Sequence, residues 1–144
     1  MSRPMDSQSD WLVTDDLAPA ADGLLAPLYA AAADGRLAMP FCAACRAVLE
    51  LEQDVCDECE SIGVAWLDVT PAGTVHAVTR VHRREPSLIR TGLPYYVIDV
   101  ELDSRHRLVM TTTRAVQGPI RIGDRVKVAF RTVGGVVVPA AEID

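Results

Sequence analysis

Between residues 42 and 59 the chain reads CAACRAVLELEQDVCDEC, two Cys-x2-Cys pairs separated by ten residues. A close pair presents two thiolates from one tight turn, and two such turns complete a tetrahedral shell for a metal ion. Cys42, Cys45, Cys56 and Cys59 are therefore the expected ligands of one zinc ion. With all four positions filled by protein, no place remains for water or substrate, so the metal is expected to be structural rather than catalytic. Four thiolates also suit iron in a rubredoxin-type site, and spacing does not name the metal. Two disulfides or a redox Cys-x-x-Cys fit less well, because no secretion signal precedes the cluster and neither pair opens a helix in a βαβ context.

In many such turns a glycine follows the second cysteine, at a positive φ that lets backbone N–H groups point at sulfur. Here those positions hold Arg46 and Glu60. Less regular turns are expected, with Arg46 placed to offset the charge of four thiolates.

A second constellation lies in the segment GTVHAVTRVHRR. His76, Arg80 and His82 share one parity of a strand, with Arg83 and Arg84 just beyond, and arginine recognises phosphate through forked hydrogen bonds. The plain alternative is a solvated strand face. Val75, Ala77, Thr79 and Val81, of opposite parity, then read as core. No catalytic set emerges: the cysteines are committed, no Ser-His-Asp order stands out, and three histidines on strands are a weak basis for general base catalysis.

The elements that must position these residues are mainly β. Residues 1–21 read as a flexible tail, broken by Trp11, Leu12 and Val13, with Trp11 expected to fold back on the body. Residues 22–38 form a helical segment: Pro27 suits a first turn, alanines propagate it and Gly35 ends it, with Leu24, Leu28 and Ala31 on one face. A ribbon over 39–69 carries the cysteines. Trp66 falls where ribbon and barrel would meet. The barrel, 70–144, holds five strands, read as 73–82, 95–102, 107–113, 125–133 and 136–140. Gly134 and Gly135 sit where a two-residue hairpin needs positive φ. Tyr95 and Tyr96 open the second strand on opposite faces. Five strands in about 70 residues suit a small antiparallel barrel, since full or partial closure removes exposed edges.

The hydrophobic fraction of 49% and charged fraction of 24% fit a folded globular chain. No apolar run reaches the roughly 20 residues of a membrane helix. The polar start carries Asp6 and Asp10 where a signal peptide would be basic and then apolar, so a cytoplasmic location is expected. Net charge is -6, but unevenly spread: residues 1–72 hold 13 acids and 3 arginines, residues 73–144 hold 7 acids and 11 bases. An anionic ligand should favour the second half. A nucleic-acid-binding ribbon plus OB-fold is the main alternative, and 5% aromatics with a single lysine leave it few stacking platforms and a poor electrostatic funnel. An electron-carrying iron protein is a third possibility.

The order of ADGRLAMP, the four-cysteine ribbon, AWLDVTPAGTVHAVTRVHR, LPYYVIDVEL, RLVMTT and IGDRVKV resembles a family that pairs a rubredoxin-like zinc ribbon with an acyl-CoA-associated OB-fold, over about residues 24–138. The resemblance implies a noncatalytic partner of thiolase-like condensing enzymes, or of acyl-CoA hydratases or sterol side-chain aldolases, in a hetero-oligomer of lipid or steroid metabolism. The partner supplies nucleophile and base, and the small subunit helps seat or pass on the CoA thioester. Cys42, Cys45, Cys56 and Cys59 match the family's metal ligands, Gly73 the glycine that opens the barrel, and Pro94 with Tyr95 the family's PY. SRH at 104–106 departs from it, since a glycine is usual in that hairpin.

Overall fold

A computed structural model describes residues 9–82 and 85–143; Arg83 and Arg84 of the expected anion site lie outside the described residues. The fold is mainly β, with one short helix, a four-cysteine cluster and a nearly closed five-stranded barrel of OB type.

Helix α1 spans Ala26–Ala33. Pro27 in its first turn costs no helical hydrogen bond. Gly35, at φ 78°, ends it: Gly35 N–H donates to Ala32 O and Arg36 N–H to Ala31 O, which satisfies the last carbonyls. Leu28, Ala31 and Ala32 are buried, but Leu24, expected on the same face, precedes the helix and is 71% exposed.

Strand β1, Ala38–Cys42, was not expected from sequence; it pairs antiparallel with β2, Val64–Asp68, so that the ribbon stands on a two-stranded stem. Trp66 on β2 packs against the main core. The barrel strands are β3 (Ala72–Val81), β4 (Tyr95–Leu102), β5 (Arg107–Met110), β6 (Arg125–Val133) and β7 (Val136–Glu142), in the order β5-β4-β3-β6-β7. Gly134 and Gly135 turn β6 into β7 at φ 54° and 85°. A parallel bridge Thr112↔Ala141 joins the two ends of the sheet, with Ala141 N–H donating to Thr111 O and Thr113 N–H to Ala141 O. Inside lie Val75, Ile98, Val100, Leu102 and Met110, with Leu37 and Met39 entering from the base of the ribbon.

Strand β3 corrects the parity read from sequence. Val75 faces Val100, but both His76 and Ala77 fall opposite Asp99, a bulge that inserts one residue and exchanges the faces beyond it. Val78, not Ala77, then packs on the core, while Ala77 and Thr79 are exposed. His76 lies outward near Asp99, and Arg80, opposite the buried Tyr96, lies over its ring at 5.2 Å. His76 and Arg80 therefore do not share a face.

Residues 10–18 run as a strap along the barrel. Trp11 Nε1 donates to Thr112 O at 2.8 Å, as expected for a tryptophan that folds back. Thr14 N–H donates to Leu88 O and Arg90 N–H to Leu12 O, which ties the strap to the loop between β3 and β4. Asp10, its side chain fully buried, pairs with Arg131 on β6 and accepts the N–H groups of Leu12 and Val13.

Candidate metal centre and the barrel surfaces

The two cysteine turns are built alike. In the first, Cys42 N–H donates to Ala47 O (2.8 Å) and Arg46 N–H to Cys42 O (2.9 Å); in the second, Cys56 N–H donates to Ser61 O (3.0 Å) and Glu60 N–H to Cys56 O (2.9 Å). Bridges Phe41↔Val48 and Val55↔Ile62 close each turn at its base. Arg46 and Glu60 take φ of 66° and 64°, so both adopt the left-handed geometry that glycine usually supplies. The turns are regular without glycine, against the expectation from sequence, and the strain sits at two exposed side chains.

The four Sγ atoms lie within 4.8 Å of one another. Cys42 and Cys59 sulfurs stand 3.7 Å apart, and those of Cys45 and Cys56 3.6 Å. A zinc tetrahedron with bonds of about 2.3 Å has sulfur–sulfur edges of roughly 3.8 Å, so the donor set fits a tetrahedral metal ion. Backbone N–H groups point at sulfur: Ala44 and Cys45 at Cys42, Glu58 at Cys56. Cys42 and Cys56 are buried with Leu49, whereas Cys45 and Cys59 are exposed.

The electrostatics favour the same conclusion. Ser61, through its hydroxyl and its backbone N–H, holds the Cys59 thiol down to about 6. The N–H of Cys45 lowers Cys42. For Cys45 the Ala47 N–H favours the thiolate, but burial and the three neighbouring sulfurs push the thiol up to about 12. Four thiolates this close repel one another, and a divalent cation removes that cost.

His106, in the β4–β5 hairpin, joins ribbon to barrel. It is 3% exposed. Its Nε2 lies 2.8 Å from Pro40 O and its Nδ1 2.7 Å from Ser104 Oγ, and its ring meets Phe41 edge-on at 4.9 Å. A carbonyl only accepts, so Nε2 carries the proton and Nδ1 accepts from the Ser104 hydroxyl. Burial pulls the imidazole below its usual pKa against the raising effect of Pro40 O. Arg105, at φ 84°, takes the glycine's place in this turn. Sequence reading missed His106 and Asp10; a lone histidine in a polar turn and an aspartate before a tryptophan carry no local signal of burial.

The expected anion site is only partly on view. Arg80 lies over Tyr96 and His82 is exposed at the end of β3. Much of the positive charge of the second half is held internally: Arg107 pairs with Asp99, Arg125 with Asp103, Arg131 with Asp10 and Arg105 with Glu101. Hydrogen bonds from Arg107 hold Asp99 below the usual carboxylate range, and those from Arg125 do the same for Asp103. Charge counted along a sequence overstates what a ligand meets.

A four-cysteine ribbon on a two-stranded stem, followed by a small, nearly closed barrel, defines a ribbon-plus-OB-fold protein. Residues 66–131 match the family model described as ChsH2, C-terminal OB-fold domain. A chain of the solved structure described as "Ltp2-ChsH2(DUF35) aldolase" superposes with a TM-score of 0.74 at 25% sequence identity, covering 87% of this chain and 98% of that one. No curated protein matches the chain. No described helix is long and apolar enough to cross a membrane.

Proposed function

We propose that this chain is a noncatalytic accessory subunit that binds a thiolase-like, aldolase or hydratase acyl-CoA enzyme and helps seat or transfer its CoA thioester. The observation that carries the reading is the likeness, over 87% of the chain, to a chain from an aldolase complex, ribbon and barrel together. Ribbons and OB-folds taken singly serve many functions, so the combination is what counts.

In this reading Cys42, Cys45, Cys56 and Cys59 hold a structural zinc ion, which supplies folding energy to the ribbon and no chemistry to a substrate. Arg80 and His82, with Arg83 and Arg84, are the phosphate contacts. The aldolase, thiolase or hydratase partner supplies nucleophile and base. The experiment is co-expression with a neighbouring thiolase-like protein and mass measurement of what purifies. A defined hetero-oligomer is expected; a chain that stays alone with every such partner overturns the proposal.

A further inference from the structure

We infer that the outer face of the cysteine ribbon is a docking surface for a protein that is basic around an apolar centre, with a lysine or arginine side chain of that protein seated in the groove between the two cysteine turns. That this protein is the partner enzyme rests on the function proposed above; the chemistry of the face does not.

Charge is handled differently in ribbon and barrel. On the strap and barrel Asp10, Asp99, Glu101 and Asp103 each pair with an arginine of the barrel. Between residues 42 and 64 stand Glu50, Glu52, Asp54, Asp57, Glu58 and Glu60 against the single base Arg46. All six are exposed, and none forms an ion pair with a described residue. A bound metal does not reverse the sign, since four thiolates around a divalent ion keep two negative charges. Nor do the acids make a cation site of their own: among the described residues the cysteines are the only group of three or more such side chains close enough to share an ion. Unpaired negative charge spread in this way attracts and orients a basic surface.

The same ribbon exposes apolar side chains. Ile62 is 81% exposed, Val55 47%, Val48 41% and Val64 38%. The bridge Val55↔Ile62 sets two of them side by side at the base of the second turn. The ribbon's own small interior is filled by Leu49 with Cys42 and Cys56. Apolar side chains with a charged rim are the anatomy of a protein–protein interface. Between the turns opens a groove of about 590 Å³, walled by Ala47 and Val48 of the first and by Asp57 and Glu58 of the second. Lysine and arginine carry an apolar stem below a charged head, so the stem fits against the alanine and valine while the head meets the carboxylates. The same charge repels nucleic acid and anionic lipid, so the class of partner is protein.

The test measures binding of the full zinc-loaded chain to the thiolase-like enzyme that co-expression identifies, by interferometry at about 0.05 M and about 0.5 M salt. Asp54→Lys combined with Glu58→Lys should weaken binding at least about tenfold at low salt, with a difference that shrinks at high salt. Ile62→Asn should weaken it at both salt concentrations, because the contact it removes is apolar. Asp16→Lys combined with Glu142→Lys, the same change of net charge at exposed positions of the strap and barrel, should bind as the wild type does. Zinc content and melting temperature should stay at wild-type values throughout, since all five positions are exposed. A complex whose affinity ignores either ribbon variant, or falls equally in the strap and barrel control, overturns the face and leaves the accessory role standing. A chain that binds no such enzyme overturns both.

Discussion

His106 Nε2 donates to Pro40 O at 2.8 Å, so a barrel hairpin and the stem of the ribbon share one buried hydrogen bond two residues before Cys42, the first of the clustered cysteines. The imidazole is neutral there. Because burial lowers its folded pKa below that of the unfolded chain, its contribution to stability is fully present above about pH 6.5 and is lost as pH falls through the folded value. His106→Leu should destabilise by about 1–3 kcal/mol at pH 7.5, since Pro40 O loses a buried donor. The gap in urea midpoint between wild type and variant should narrow at pH 5.5, and a gap that stays constant across this range contradicts the assignment.

Gly73 leaves no room for a side chain. A Cβ there would stand 2.4 Å from Glu101 O and 2.9 Å from Leu102 Cα, both backbone atoms of the paired strand β4. Gly73→Ala must push β3 away from β4 at a cost of roughly 2–3 kcal/mol, as overpacking does. Gly118→Ala, with nothing within 4 Å of its Cβ, is the matched control and should melt close to wild type.

Removing Asp10 should release the strap. Asp10→Ala leaves Arg131, whose side chain is 17% exposed, without its counter-ion and strips the acceptor from two backbone N–H groups. Breaking a buried pair from one side costs about 3 kcal/mol or more, while replacing both members by apolar residues costs far less. Proteolysis between residues 12 and 18 should therefore rise sharply in Asp10→Ala and much less in Asp10→Leu combined with Arg131→Met.

Metal content settles the ribbon. Elemental analysis of protein prepared anaerobically should find about one zinc per chain; iron in its place, or no metal, contradicts the zinc assignment. Cys56→Ser should lower metal content and the melting temperature together, because metal binding is part of the folding free energy of such modules.

Much of this protein was written locally. The cysteine spacing set the ligand cluster, because two residues inside a turn hold each thiol pair together whatever the rest of the chain does. Alternation and turn residues set β4 at Tyr95–Leu102 and β6 at Arg125–Val133, and two glycines set the hairpin after β6. What the tertiary structure decided depends on residues far apart in the chain. The bulge at His76 exists only in register against Asp99, and it reversed the faces that strict alternation assigns. Asp10 meets Arg131 across 121 residues, Trp11 meets Thr112 across 101 and His106 meets Pro40 across 66. A hydrogen bond or ion pair forms between whichever groups the fold brings within about 3 Å. Nothing in a residue's immediate neighbours records that meeting, which is why Arg107, Arg125 and Arg131 count as free charge along the sequence and fold into pairs with Asp99, Asp103 and Asp10.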